Sequence, residues 1–284
     1  GTLEAGRAWI GRAAEPRVGE IDVTEAMIRQ FVSAIRDPNP DYWRSPPSVP
    51  PAMLTTWVTP QNWRPDRTTG PASALLVAVP MPGDSMINLS SEIEFVGALR
   101  VGDRVSVVEE VESISDEKAT RVGPGHFLTM VARYRRQSGE LVALQRNTML
   151  RFWARGGEAS GGEARAEGAT SGASGTSAAS SAGGETSGSA NASAPVPGDA
   201  LPDFVDVLDV ERVVASAAAT WTFFGGHIDP DYARGVQGRD HVYLATGPVL
   251  GMLDAYVLNA LGRGARLAKR SIRMDRSLCA GDRI

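Results

Sequence analysis

The chain has 284 residues, a formal net charge of −4, 22% charged residues and 42% hydrophobic ones, which is enough for two domains of ordinary size. No Lys/Arg block or basic stripe with interleaved aromatics is present, which argues against nucleic acid as a partner, and no apolar run approaches the roughly 18 residues that span a bilayer. The single cysteine, Cys279, excludes an intramolecular disulfide framework and a Cys-rich zinc site.

The opening "GTLEAGRAWIGR" has neither an initiator Met nor a charged start followed by an apolar core, so no signal peptide is read and a cytoplasmic protein is expected. "PAMLTTWV" predicts a helix over Pro51–Val58, ended by Pro60. Farther on, "FLTMVARYRR" and "ELVALQRNTMLRFW" alternate around the turn "QSGE", a hairpin signature. From about Arg155 to Gly198 the composition changes to Gly, Ser, Ala, Thr and Glu. Such a segment buries too little apolar surface to offset its ordering entropy, so a flexible tether is expected. Beyond it, "PVLGMLDAYVLNALG" predicts a second helix over Pro248–Leu261, with Pro at a favoured first position and Gly262 as its cap. Apolar residues cover most of its circumference, so it is expected to be buried nearly all round.

The pieces on either side of the tether look like copies. "SEIEFVGALRVGDRV" lines up without gaps on "RSIRMDRSLCAGDRI", setting Ile93 on Ile272, Leu99 on Leu278 and Gly102-Asp103-Arg104 on Gly281-Asp282-Arg283. "IDVTEAMIRQF" parallels "LDVERVVASAA", and Pro-Asp-Tyr occurs at Pro40 and again at Pro230. Features recurring in one order indicate an internal duplication. The expected organisation is therefore 1–154, a linker at 155–199, and 200–284. The first copy continues for about 45 strand-like residues after Val105, whereas the second stops at Ile284, so the second unit is expected to be truncated or completed by something else.

Chemistry concentrates in "FFGGHIDPDYARG", Phe223 to Gly235, which holds one of three histidines, His227, two residues before Asp229. Read from the residues alone, it is either a water-activating site or a glycine-loosened turn with a solvated or capping histidine. The pair lacks a third ligand nearby, which argues against a metal. His241 reads as a loop residue near a pocket mouth and His126 as bordering a strand.

These segments resemble the MaoC-like and fatty-acid-synthase-type dehydratases and hydratases. The resemblance is carried by "RDPNPDYW" before "PPAML", by "INLSSEIEFVGALRVGDRV", by "EKATRVGPGHFLTMVARYRRQSGELVA" and by "HIDPDYARGVQGRDHVYLATGPVLGMLDAY". It implies an α+β double hotdog, in which antiparallel sheet curls around central helices. The family motif runs Asp-x-Asn-Pro-x-His-x-Asp. The first copy keeps Asp37, Asn39 and Pro40 but has Tyr42 at the histidine and Arg44 at the last acid, like the family's non-catalytic halves. The second keeps His227 and Asp229 but has Thr222 and Phe224 at the Asp and Asn positions. Matching the two Pro-Asp-Tyr triplets instead would set Asp37 against His227, so two registers stay open.

The resemblance implies a hydro-lyase of fatty-acid or lipid metabolism, an enoyl-coenzyme A hydratase or 3-hydroxyacyl-thioester dehydratase. Coenzyme A would enter as part of the substrate, with no other cofactor and no metal. His227 would be the base, Asp229 its support, and Gly247 the donor to the thioester oxygen. Thr222, Tyr232, Thr246 and Pro51 would contact substrate, and the first copy would mainly form the acyl pocket. Two other readings stand beside this one: a non-catalytic hotdog subunit that binds an acyl thioester or a catalytic partner, and a thioesterase. Exposed sheet edges favour side-by-side pairing of the copies and a homo- or hetero-oligomer.

Overall fold

The structure, a computed structural model, describes residues 1–61, 63, 65, 75–120, 123–153, 198–262, 264–274 and 276–284. Apart from Gly198 and Asp199, the expected linker lies outside the described residues. Seven strands, β1 (Arg17–Val18), β2 (Ser85–Phe95), β3 (Val105–Ile114), β4 (Lys118–Thr120), β5 (Gly123–Arg136), β6 (Leu141–Phe152) and β7 (Lys269–Ile272), form one antiparallel sheet. Its order is β1-β3-β5-β6-β2-β7, with β4 added to β5. The anticipated hairpin is β5–β6. Arg136 donates to the Glu140 carbonyl across a turn in which Gly139 has φ 85°, a left-handed conformation that suits glycine. Alternation puts Leu128, Met130, Ala132 and Tyr134 inward, while Thr129, Arg133 and Arg135 face out.

Against this sheet lie the 3₁₀ helix Pro51–Val58 and the α-helix Thr246–Leu261, which touch each other. The first is 3₁₀ rather than α. Its β-branched Thr55, Thr56 and Val58 lose side-chain freedom in an α-helix, and Pro60 prevents extension. Trp57 and Met53 from it are fully enclosed, in one core with Val105, Val107, Tyr134 and Ala143 of the sheet and Leu250 and Met252 of the longer helix. The longer helix is not buried all round. Leu253 is 43% exposed and Leu261 36%, because the stripe through Val249, Leu253 and Leu261 turns away from the strands and toward a cavity and solvent.

The duplication is written in matching hydrogen bonds. In both copies a capping side chain opens a ten-residue helix: Thr24 accepts from Met27 N before Glu25–Ala34, and Asp209 accepts from Arg212 N before Val210–Ala219. Both helices end on a non-glycine residue in the left-handed region, Arg36 at φ 57° and Trp221 at φ 56°. Asp37 N then donates to Val32 O and Thr222 N to Ala217 O, each at 2.9 Å. The Gly-Asp-Arg turns agree too. Asp103 accepts from Arg100 N and Asp282 from Cys279 N, both at 2.8 Å, around Gly102 and Gly281 at φ 90° and 96°. These bonds settle the register: Asp37 corresponds to Thr222 and Tyr42 to His227, so the two Pro-Asp-Tyr triplets are not equivalent.

The copies join through β2 and β7. Ser91 pairs with Ile272, Glu92 with Ser271 and Ile93 with Arg270. Since Glu92 and Ser271 are repeat equivalents, a local two-fold passes through that pair. On the helical side, Glu25–Ala34 packs on Val210–Ala219, and buried Arg212 donates from Nε to Ala34 O at 2.9 Å and from Nη2 to Ile35 O at 3.0 Å while pairing with Asp206. Gly251 seats the longer helix against the first copy. A Cβ there would stand 2.6 Å from Phe31 Cζ and 3.0 Å from Ile35 Cδ1. Gly251→Ala is therefore expected to lower the unfolding free energy by about 1–3 kcal/mol, the usual cost of overpacking, measured by denaturant unfolding.

Candidate active site

After Trp221 the chain makes the short helix Gly225–Ile228, with Phe224 as its N-cap. Its two glycines are there for packing rather than for looseness. A Cβ on Gly225 would lie 2.7 Å from the Tyr232 ring, and one on Gly226 would lie 2.7 Å from the Tyr243 ring. His227 is accordingly no solvated loop residue. It is 8% exposed, with its imidazole edge-on to Tyr243 (centroids 4.8 Å apart) and to Phe224 (5.5 Å). His227 Nδ1 lies 2.8 Å from the Tyr243 carbonyl oxygen. A carbonyl only accepts, so Nδ1 carries the proton and Nε2 is the basic nitrogen. Tyr243 N in turn donates to Gly226 O at 3.1 Å, which locks the two segments together.

Asp229 is exposed and does a different job from the one expected. Its Oδ1 accepts from Asp231 N at 2.9 Å and Tyr232 N at 3.1 Å, capping the helix Pro230–Gly235. The Tyr243 carbonyl orients the imidazole through Nδ1. Tyr232 also moves out of the expected list: its ring stands edge-on to Phe224, 5.5 Å away, and backs Gly225 instead of lining the cavity. Pro51 sits in the first turn of its helix and is likewise off the cavity wall, where Thr55, one turn on, takes its place.

The cavity, about 750 Å³, brings together His227, Thr222, Thr246 and Gly247. Thr246 and Gly247 open the helix Thr246–Leu261, whose first N–H groups have no partner within the helix and whose dipole favours negative charge. A Cβ at Gly247 would meet Thr220 Cγ2 at 3.6 Å and Ala52 O at 3.9 Å, ordinary contacts, so protein packing alone does not demand glycine there. The Thr222 hydroxyl lies 3.0 Å from the Thr220 hydroxyl. The apolar wall belongs to the second copy: Val249, Leu253, Ile272, Met274 and Leu278. From the first copy, among the described residues, come only Thr55 and Asn88. Asn88 Oδ1 is buried without a donor, which costs about 1–3 kcal/mol when nothing pairs with it. Arg239, Arg273 and Arg276 also line the cavity, and no Asp or Glu among the described residues does. Arg239 stacks over the Tyr243 ring at 5.8 Å.

In the sequence Thr55, Tyr243 and the arginines carry no motif, and Asn88 stands only in a chance match to the glycosylation pattern, Asn88-Leu-Ser; the one signal is the charge pattern of "RSIRMDRS". His126 is buried off the cavity with Nδ1 3.2 Å from Ser115 O. His241 accepts from Val242 N through Nδ1 and is not on the cavity wall. Among the described residues no three His, Cys, Asp or Glu are placed to hold a metal, and no helix is long and apolar enough to cross a membrane.

In the first copy's twin of this site the equivalent side chains are buried. Tyr42 is buried, and burial together with Asp37, Asp254 and Asp41 pushes its phenol well above the ordinary range. Asp37 Oδ1 accepts from Asn39 N at 2.9 Å and from Asn259 Nδ2 at 3.1 Å, the latter from the second copy's helix. Asp254 pairs with Arg270 beside them, yet burial outweighs the arginine and holds its carboxyl above the usual carboxylate range.

Residues 8–145 match the family model described as the FAS1-like dehydratase domain region. Over 160 residues the chain is 38% identical to a Thermomonospora curvata protein named probable enoyl-CoA hydratase alpha subunit, covering 51% of this chain and 50% of that one. The chain thus spans about half the length of the curated relative it matches. Among solved structures, a MaoC-like dehydratase from Phytophthora capsici aligns with a TM-score of 0.64 at 15% identity, covering 98% of this chain and 85% of that one. A Mycobacterium tuberculosis protein described as having a double hotdog fold aligns with a TM-score of 0.53 at 15% identity, covering 96% and 82%. At such identities the likeness establishes the fold: an α+β double hotdog.

The capping role of Asp229 is open to a direct check. Asp229→Ala is expected to cost about 1 kcal/mol of stability in denaturant unfolding, and Asp229→Asn, also a good cap, to recover most of it.

Proposed function

We propose that the chain, whose residues 8–145 match the FAS1-like dehydratase domain region and whose fold is that of MaoC-like dehydratases, adds water to, or removes it from, an acyl thioester of coenzyme A at the His227 cavity. One observation carries the reading. The base-competent imidazole, held through Nδ1 by the Tyr243 carbonyl, shares a largely apolar cavity with the opening turn of the Thr246–Leu261 helix.

In the hydration direction His227 Nε2 takes a proton from water as the oxygen bonds to the β-carbon of the enoyl thioester. The electron pair of the double bond moves to the thioester oxygen, and the resulting enolate is stabilised by backbone N–H at Thr246 and Gly247 and by the helix dipole. The α-carbon then takes the proton back from the imidazolium, so nothing is oxidised and nothing leaves the site. Thr222, at the position of the family's acid, supplies a hydroxyl to hold the water. The acyl group lies on the second copy's apolar wall, not on the first copy as the resemblance implied. The first copy serves as the non-catalytic half, and the alpha-subunit name of the relative supports assembly with another copy or a partner subunit.

The loss of the family Asp and Asn at Thr222 and Phe224 favours a second reading, a thioester-binding subunit without turnover. One assay separates these readings and thioesterase activity: following the absorbance of a conjugated enoyl-coenzyme A while titrating free thiol. Because the ring of His227 is packed, the informative variant is His227→Asn, whose amide can still donate to Tyr243 O. It is expected to fold, and to lower hydratase turnover by at least about 100-fold. Wild-type turnover in that variant would remove His227 from the mechanism, and thiol release without loss of absorbing substrate to water addition would move the activity to hydrolysis.

A further inference from the structure

The helix Val210–Ala219 is followed by two threonines whose hydroxyls meet. Thr220 is its C-cap, Trp221 takes the left-handed conformation at φ 56°, and the chain folds back so that Thr222 N donates to Ala217 O. That reversal brings the Thr222 hydroxyl to 3.0 Å from the Thr220 hydroxyl and 3.3 Å from Thr220 O. Thr220 is buried beside the opening of the Thr246–Leu261 helix, where a Cβ built at Gly247 would meet its Cγ2 at 3.6 Å. Its single hydroxyl proton faces two carbonyls, Ser216 O at 2.9 Å and Ala217 O at 3.3 Å. A threonine at a helix end commonly bonds the carbonyl three or four residues back, and the nearer one here is Ser216 O. Toward Thr222 it then offers only lone pairs, so Thr222 donates to Thr220 and turns its own lone pairs to the cavity it lines.

The first copy shows where this pairing is needed. Its equivalents of Thr220, Trp221 and Thr222 are Ile35, Arg36 and Asp37, and Arg36 repeats the left-handed turn at φ 57°. Where the motif position is a carboxylate, the residue two before it is apolar and offers no hydroxyl. Where the position is a threonine, the residue two before it is another threonine. The difference follows from chemistry: a carboxylate only accepts hydrogen bonds, whereas a lone hydroxyl rotates and can donate as well.

We infer that Thr220 is a positioning residue: it holds the Thr222 hydroxyl as an acceptor only, so that the threonine pair shows water the hydrogen-bonding face of a carboxylate without its charge. A water between Thr222 and His227 then gives one hydrogen to Thr222 Oγ1 and the other to His227 Nε2, and a lone pair is left facing the β-carbon. As the carbon–oxygen bond forms, the proton on the imidazole side passes to Nε2. The hydrogen on the Thr222 side stays with its oxygen and becomes the product hydroxyl. A Thr222 hydroxyl aimed into the cavity would instead donate to the water oxygen and compete for the lone pairs that must attack. This inference rests on the hydration reading of the cavity, and one of its two tests needs no turnover.

Neutron diffraction from deuterium-exchanged crystals of the full chain reads the hydroxyl directions themselves. The Thr220 deuterium is expected on the line to Ser216 O and the Thr222 deuterium toward Thr220. A Thr222 deuterium pointing into the cavity, or a Thr220 deuterium shared with Thr222, would overturn the inference. The second test is kinetic, on a conjugated enoyl-coenzyme A. Thr222→Val is expected to lower kcat about tenfold, the share of one hydrogen bond, and Thr220→Val about threefold to tenfold with KM in place. Thr220→Ser keeps the hydroxyl but loses the methyl group, so it should recover most of the activity, which a packing role would not allow. Adding Thr220→Val to Thr222→Val should cost nothing further, because the first residue acts only through the second. Effects that multiply, or a Thr220→Ser variant as slow as Thr220→Val, would return Thr220 to packing and overturn the inference. Thr220 is buried, so the neutron measurement on the unaltered chain decides the matter even if Thr220→Val fails to fold. Absence of hydratase turnover with the Thr222 deuterium on Thr220 would reject the enzymatic reading alone, since Thr220 would still fix Thr222 as an acceptor for bound water.

Discussion

The pairing of β2 with β7 is the constraint on which the rest of the molecule depends. It sets Glu92 opposite its own repeat equivalent, Ser271, and so places the two copies about a local two-fold. Once that register is set, the short helix Pro51–Val58 meets the opening of Thr246–Leu261, and Asn88 of β2 shares a wall with the residues that follow β7. A slip of one residue would turn every side chain of β7 to the other face and take Ile272 out of the core and the cavity. The ladder is short, and it is reinforced from both sides. Arg270 reaches Asp254 on the helix and lies over the Phe95 ring at 5.6 Å, while Lys269 reaches Glu92 at 2.9 Å.

The two-fold would generate two equivalent sites, and their described residues have different surroundings. In the first copy the acid of the motif survives as Asp37, but the second copy's Asn259 takes its hydrogen bond and a buried tyrosine stands where the histidine would be. In the second copy the acid is gone and the histidine remains. The residues that the family motif keeps together are divided between two places, one where the motif's positions are buried and hydrogen-bonded within the protein and one that lines a cavity.

Much of this was legible in local sequence. The β5–β6 hairpin, the helices and the repeated Gly-Asp-Arg turns are specified by residues within a few positions of one another, and repetition made the second copy readable from the first. The register of the motif was not legible, because Pro-Asp-Tyr recurs by chance in a place that the backbone hydrogen bonds separate. The role of Asp229 is ambiguous in sequence for a related reason. An acid directly before Pro230 at a helix start is a capping signature in its own right, and the same residue falls on the last acid of the family motif. The acceptor at His227 Nδ1 is a backbone carbonyl, which has no residue identity to be read. Asn88 and the arginines reach the cavity only through a pairing between strands far apart in the chain, which composition and periodicity do not encode.

Arg212 carries a consequence for how such a molecule comes to exist. Its guanidinium is buried, and its backbone acceptors, Ala34 O and Ile35 O, lie 178 and 177 residues earlier in the chain. A buried cation deprived of its acceptors is costly, so the second copy's leading helix reaches its final packing only on a first copy that has already made its own helix end. Synthesis from the N-terminus delivers the components in that order. The earlier copy then offers the acceptors on which the later one settles, so the first copy is part of the second copy's fold as well as its neighbour.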